Sequence, residues 1–178
     1  MKDKKILFVL SGSIACFKAC SLISALVKSG AQVQPCATKN ALNFIGQATL
    51  EGLTHRKLFF DMFTSDTYLK HIELNKWADI TLLCPASANI INKTAAGIAD
   101  DFVSTLLAAH DYKKPFFIAP AMNVNLYRNP ATLKSVQTLK DRGVIFIGPQ
   151  KGQLACGDCD EGRMEEPEKI LAFLKERL

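Results

Sequence analysis

Several things are missing from this 178-residue sequence, and each absence narrows what it can be. The first apolar run is only Ile6–Leu10, five residues before Ser11, too short for a secretory core or a membrane span. No membrane association is expected from it, and a cytoplasmic location is. The basic residues are scattered and form no run interleaved with aromatics, so no nucleic-acid surface is expected. The net charge of +5 instead suits an anionic small molecule or a phosphate. There is no internal repeat and no linker-like stretch. The pair Cys156 and Cys159 has no second pair or nearby His to complete a tetrahedral site, so no metal is expected. No thioredoxin-like helix starts there either. The six cysteines are therefore expected as thiols in a reducing compartment rather than as a disulfide framework. What remains is an ordinary soluble composition, 48% hydrophobic and 22% charged. At this length one domain over residues 1–178 is expected, burying roughly 70% of its unfolded surface.

Strand and helix patterns alternate along the chain. Ile6–Leu10 is a continuous apolar strand, followed by a helix with Ala15, Ala19, Leu22 and Leu26 at helical spacing and a stop at Gly30. A second strand over 32–37 contains Pro35, which fits a sheet edge. A helix near 41–48 and a short strand near 57–60 follow, then a helix over 72–78 and a buried strand over 80–84. Helices near 88–96 and 102–110, a strand over 116–119, a helix over 131–141, a strand over 144–147 and a last helix over 167–177 complete the series. Parallel strands need crossover helices, so the pattern predicts an α/β fold: a Rossmann-like, doubly wound parallel sheet in three α/β/α layers.

The turns after those strands are Ser11-Gly12-Ser13, Thr38, Pro85-Ala86-Ser87-Ala88-Asn89, Pro120-Ala121-Met122-Asn123 and Gly148–Gly152. In open α/β sheets the ligand crevice lies outside the carboxyl ends of the strands. Small residues there admit a flat ring, while hydroxyls and helix amino-terminal N–H groups hold a phosphate. Gly12 stands alone rather than in a G-x-G-x-x-G pattern, which favours a mononucleotide such as FMN over a dinucleotide. Gly152–Met164 is glycine-rich and sets Cys156 among Gly and Asp, so it reads as a substrate flap around 150–165 that carries a thiol over a strand-end pocket.

Read alone, each residue also has a plain structural role. His71 starts a helix, Asn123 can cap a turn, and Ser87 and Asn89 can cap the next helix. Cys16, Cys20, Cys36 and Cys84 read as small buried apolar residues.

Together, several segments carry a resemblance. Ser11-Gly12-Ser13-Ile14-Ala15, His71-Ile72-Glu73-Leu74 with Trp77-Ala78-Asp79, Pro85–Asn89, Ala95-Ala96-Gly97-Ile98-Ala99-Asp100-Asp101, Pro120–Asn123 and the Cys156 segment occur in one order over nearly the whole chain. In these the chain resembles the homo-oligomeric flavin-containing Cys decarboxylases. Leu126 and Tyr127 stand where that family often has Met and Trp.

The resemblance implies bound FMN and a trimer, or a dodecamer of trimers, with the flavin at subunit interfaces. It implies 4'-phosphopantothenoylcysteine as substrate and 4'-phosphopantetheine as product, in coenzyme A biosynthesis. Many bacterial members are fused to the ligase that makes this substrate. Because this sequence stops at Leu178, a separate phosphopantothenoylcysteine synthetase is the expected partner.

Flavin oxidation of the thiol carbon to a thioaldehyde gives the electrons of the departing CO2 somewhere to go, and re-reduction of the enethiol restores the thiol. His71, Asn123 and Cys156 are the implied catalytic residues: base or orienting group, carboxylate or amide holder, and proton donor. Gly12, Ser13, Thr38, Ala86, Ser87, Asn89, Ala121 and Met122 are the implied cofactor contacts, and Ala155 and Met164 join Asn123 as implied substrate contacts. Alternatives are a peptidyl-cysteine oxidative decarboxylase, a flavin prenyltransferase, and a non-catalytic flavoprotein that regulates a partner. Cys156 argues against the first of these and the Pro120–Asn123 turn against the second. The presence of His71, Asn123 and Cys156 together argues against the third.

Overall fold

The amino-terminal apolar run becomes β1 (Lys5–Leu10), with Ile6 through Leu10 fully buried. A strand covered on both faces shows no polar side, which is why its sequence runs apolar without alternation. Alternate side chains feed two cores: Ile6, Phe8 and Leu10 enter one, Leu7 and Val9 the other. In this computed structural model, which describes residues 1–63, 68–153 and 159–177, helices cover both faces. The first core is closed by α1 (Cys16–Lys28), α2 (Gln47–Thr54) and α8 (Pro167–Arg177). The second is closed by α3 (Lys70–Trp77), α4 (Ala88–Ala96), α5 (Phe102–Ala108) and α7 (Pro130–Asp141).

The other strands are β2 (Gln32–Ala37), β3 (Ile80–Ala86), β4 (Phe116–Pro120) and β5 (Ile145–Phe146), in the order β2-β1-β3-β4-β5. All four pairings are parallel, with Ile6 opposite both Val33 and Ile80. This is the predicted doubly wound, three-layer α/β sheet. The chain moves from β1 outward to β2 and then returns to the far side of β1 for β3. Loops leaving β1 and β3 therefore diverge, and a crevice opens between them at the carboxyl ends. A second sheet is an antiparallel hairpin, β6 (Gln150–Gln153) with β7 (Cys159–Arg163).

Local elements differ from expectation where side chains compete with the helical pattern. The helix predicted over 41–48 is a tight 3-10 turn, Lys39–Asn43, followed separately by α2. Thr38 closes that turn by accepting the Ala41 amide at 3.2 Å, and Gly46 sits at the extended position before α2. The strand predicted near 57–60 is a single bridge between Cys36 and Phe59. It lies along the free edge of β2, where Gln34 also donates to the Lys57 carbonyl at 2.7 Å. A short α6 (Val124–Arg128), unexpected from the sequence, begins at Asn123, whose side chain accepts the Asn125 amide at 2.8 Å.

Candidate active site

At the β1/β3 switch point lies a cavity of about 1000 Å³. That is the upper end of the range for small-molecule and cofactor sites. Its floor comes from strand ends. Ser11–Ala15 follow β1, Thr38–Asn40 follow β2, Ser87–Ile90 follow β3 and Ala121–Asn123 follow β4. Phe17 and Lys18 of α1, Lys93 of α4, Asp101, Leu126 of α6, and Gly162, Arg163 and Met164 of the hairpin complete the wall.

Ser11 holds the two diverging loops in register. Its buried hydroxyl donates to the Pro85 carbonyl at 2.8 Å and accepts the Ser87 amide at 2.8 Å. Ser87 stands at the amino-terminal boundary of α4, yet its own hydroxyl makes no capping bond. It lines the cavity instead, which leaves its oxygen for a ligand. Ser13 accepts the Ala15 amide at 3.3 Å, so the first turn of α1 is closed locally while its amino end faces the cavity. Gly12 lies so close to Asn40 that a Cβ would sit 3.0 Å from the Asn40 Cβ. A side chain at this position would require Asn40 to give way.

The hairpin closes the fourth side. The Met122 amide donates to the Gly162 carbonyl at 2.9 Å, and the Ala121 amide to the Ala86 carbonyl at 2.9 Å. Arg163 donates to Glu166 at 2.6 Å, and Lys18 to both Glu166 oxygens at 2.9 and 3.0 Å. The Lys18 hydrogen bond holds the Glu166 carboxyl below the ordinary carboxylate range. Lys93 is bound to both oxygens of Asp100 at 2.7 and 2.8 Å, and this bond raises its ammonium pKa. Beneath the cavity the thiols are inert by burial. Cys16 is pushed up to about 11, and Cys84, 3.6 Å from the Met164 sulfur, is pushed up further.

Of the residues singled out in the sequence, Gly12, Ser13, Thr38, Ser87, Asn89, Ala121, Met122, Asn123 and Met164 meet around this one cavity. Ala86 is fully buried and does not line the cavity; its carbonyl accepts the amide of the lining residue Ala121. His71 does not line the cavity. It sits half-buried on α3, with a buried Nδ1 that has no hydrogen-bond partner among the described residues. Ala155 and Cys156 lie outside the described residues, as do the side-chain positions of Cys159 and Asp160. Sequence reasoning missed Phe17, Lys18, Lys93 and Asp101 as wall residues. Ile14, Phe17 and Lys18 share the face of the first helical turns opposite the core positions Ala15, Cys16 and Ala19, which is the signal that could have found the first two.

The flavoprotein family profile matches residues 1–178. The chain belongs to the flavoprotein family. This flavoprotein is 40% identical over 173 residues to the coenzyme A biosynthesis bifunctional protein CoaBC of Bacillus subtilis, covering 96% of this chain and 42% of that protein. To the protein of the same name from Vibrio cholerae it is 43% identical over 174 residues, covering 97% of this chain and 43% of the other. The chain thus spans less than half the length of these curated relatives. Among solved structures, a PPC decarboxylase mutant complexed with pantothenoylaminoethenethiol superimposes with a TM-score of 0.89 at 32% identity, over 99% of this chain and 98% of that one. The FMN binding protein AtHal3 superimposes with a TM-score of 0.86 at 33% identity, over 99% and 97%. No helix among the described residues of this flavoprotein is long and apolar enough to cross a membrane.

Proposed function

We propose that this flavoprotein binds FMN at the β1/β3 switch point and decarboxylates 4'-phosphopantothenoylcysteine to 4'-phosphopantetheine in coenzyme A biosynthesis. The observation that carries the reading is the likeness over 99% of this chain, at TM-score 0.89, to a PPC decarboxylase complexed with pantothenoylaminoethenethiol, supported by a switch-point cavity in this chain floored by small residues and hydroxyls.

The residues present fit the cofactor. The amino end of α1 with Gly12 and Ser13 supplies N–H groups and a hydroxyl for the phosphate, in the favourable field of a helix amino terminus. Thr38 and the uncapping Ser87 hydroxyl stand beside it, with Asn89 at the rim. Ala121 and Met122, backed by Ala86, offer a wall without long polar side chains to the ring. When bound, FMN would supply the two-electron sink for the substrate's thiol carbon and return the pair after CO2 has left.

The chain's own residues do the rest. Asn123, fixed at the start of α6, orients the carboxylate or amide of the acyl-cysteine. Cys156 delivers the proton that completes reduction of the enethiol carbon, and Ala155 and Met164 confine the substrate. The hairpin shuts water away from a reactive thioaldehyde. His71 lies off this chain's own cavity, so in this reading it reaches the substrate of a neighbouring copy in a homotrimer or a dodecamer of trimers. A separate phosphopantothenoylcysteine synthetase would deliver the substrate where the two activities are not on one polypeptide.

The test is anaerobic turnover of the purified yellow protein with phosphopantothenoylcysteine, followed by mass spectrometry. Saturated phosphopantetheine from the wild type, and the enethiol two hydrogens lighter from Cys156→Ser, are the expected products. A protein that binds flavin yet leaves this substrate untouched while decarboxylating a cysteine-terminated peptide would move the assignment to a peptidyl-cysteine decarboxylase.

A further inference from the structure

Among the described residues four cations line the cavity, and they differ in how far their charge is cancelled. Lys39 meets one carboxylate, Asp61, at 3.1 Å. Lys93 meets two, Asp100 at 2.7 Å and Asp101 at 3.6 Å. Lys18 and Arg163 share one: Glu166 Oε1 accepts from Lys18 at 2.9 Å and from Arg163 at 2.6 Å. Within these groups the wall is neutral beyond β2, negative by one charge at α4 and positive by one charge where α1 meets β7.

That excess charge borders the cavity. Lys18 and Arg163 line it, whereas Glu166 does not. The guanidinium engages Glu166 through Nη2, and its other N–H groups have no partner among the described residues. Gly152 makes room for it, since a Cβ there would come within 2.9 Å of Arg163 Cδ and 3.1 Å of Nη1. Side-chain exposure of 15% for Lys18 and 39% for Arg163 leaves solvent to screen the pair only in part.

We propose that Lys18 and Arg163 form the subsite for the phosphate of the substrate, and so set a preference for a phosphorylated acyl-cysteine. The proposal rests on the substrate reading given above. In that reading the FMN phosphate is met by Gly12, Ser13 and the amino end of α1, before Lys18 is reached. The substrate carboxylate has to leave as CO2. Ion pairs to it would stabilise the ground state and weaken as its charge moves away, so cations there would slow the reaction. The substrate phosphate keeps its charge throughout, and binding it anchors the molecule without opposing the chemistry. A phosphate also suits the donors: forked N–H groups on Arg163 and a point charge on Lys18.

The experiment measures kcat/KM for phosphopantothenoylcysteine and for the same compound without its phosphate, using FMN-loaded wild type, Lys18→Met and Glu166→Gln. The quantity read is the ratio of the two, phosphorylated over unphosphorylated. Damage to the flavin or to the thiol end slows both compounds and cancels. Lys18→Met lowers the ratio about 10- to 100-fold, the range of a lost charge-assisted hydrogen bond. Glu166→Gln removes the anion that competes with the phosphate and raises the ratio about 5-fold. A merely structural role would not move the ratio in opposite directions. Lys18→Gln keeps the test open if Lys18→Met fails to fold.

A wild-type ratio in the Lys18 variants, or a fall in Glu166→Gln, overturns the proposal. FMN and riboflavin are also titrated into flavin-free Lys18→Met. Loss of FMN affinity with riboflavin affinity retained, at an unchanged substrate ratio, overturns the proposal and assigns Lys18 to the cofactor phosphate. Wild-type protein that decarboxylates neither compound overturns the substrate reading itself, so the two failures are distinguishable.

Discussion

The Gly162 carbonyl accepts the Met122 amide at 2.9 Å, and this bond joins the hairpin to the floor of the cavity. Gly162 holds a φ of 132°, a region that L side chains rarely adopt, and a Cβ there would overlap the Met122 carbonyl oxygen. The position is closed to any side chain for two reasons at once. Gly162→Ala is expected to cost about 1–3 kcal/mol of stability, the scale of a strained backbone conformation. It should also weaken flavin retention, because Met122 moves with the hairpin. Urea unfolding and flavin content after gel filtration measure the two effects separately.

Ser11 makes the corresponding junction between β1 and β3. Ser11→Ala leaves the Ser87 amide and the Pro85 carbonyl without this partner, and an orphaned buried group costs about 1–3 kcal/mol. The loop bearing Ser87 then loses its anchor, so FMN affinity should fall with stability. Titration of the flavin-free variant with FMN checks this; an unchanged dissociation constant would show that Ser87 is held by other means.

His110 gives stability a pH dependence whose sign follows from its surroundings. Its Nδ1 accepts the Tyr112 amide at 3.0 Å, and its ring packs between Tyr112 and Phe116. Burial, opposed in part by Asp111, lowers its pKa below the ordinary 6.5. The folded state therefore binds fewer protons than the unfolded chain in that window. Stability is fully present above about pH 6.5 and is lost as pH falls through the folded value. His110→Phe should flatten the curve of unfolding free energy against pH just below 6.5, and an unchanged slope would assign that dependence to another group.

The buried thiols make a chemical prediction. Burial raises Cys16 to about 11 and raises Cys36 and Cys84 as well, so little thiolate exists at neutral pH. Peptide mapping after alkylation of the native protein should find these three unmodified, and modified only in denaturant.

Much of the fold was legible because burial on both faces writes itself as continuous apolar runs. Ile6–Leu10 and Ile80–Cys84 became central strands, and Pro35 fell on the edge strand as its missing donor requires. The segment from 39 to 60 was less legible. There, a Thr38 side chain and a bridge to β2 decide the local structure, and neither leaves a periodic signal. The same division runs through the site. Small residues and hydroxyls after each strand marked out the cavity floor, since their position follows from topology alone. Lys18 and Glu166 were invisible as a pair because they are 148 residues apart and meet only when α8 and α1 pack on the same face of the sheet.

By itself, then, the sequence determined the alternation of strands and helices, the three-layer sheet and the set of turns that face the ligand. These follow from short-range periodicity and the cost of leaving apolar surface in water. Only the tertiary structure decided that Ser87 lines the cavity without capping its helix, that Gly162 docks on Met122, and that His71 stands apart from the cavity its own chain builds. Those are relations between distant segments, set by how packed layers bring side chains together, and no local pattern encodes them.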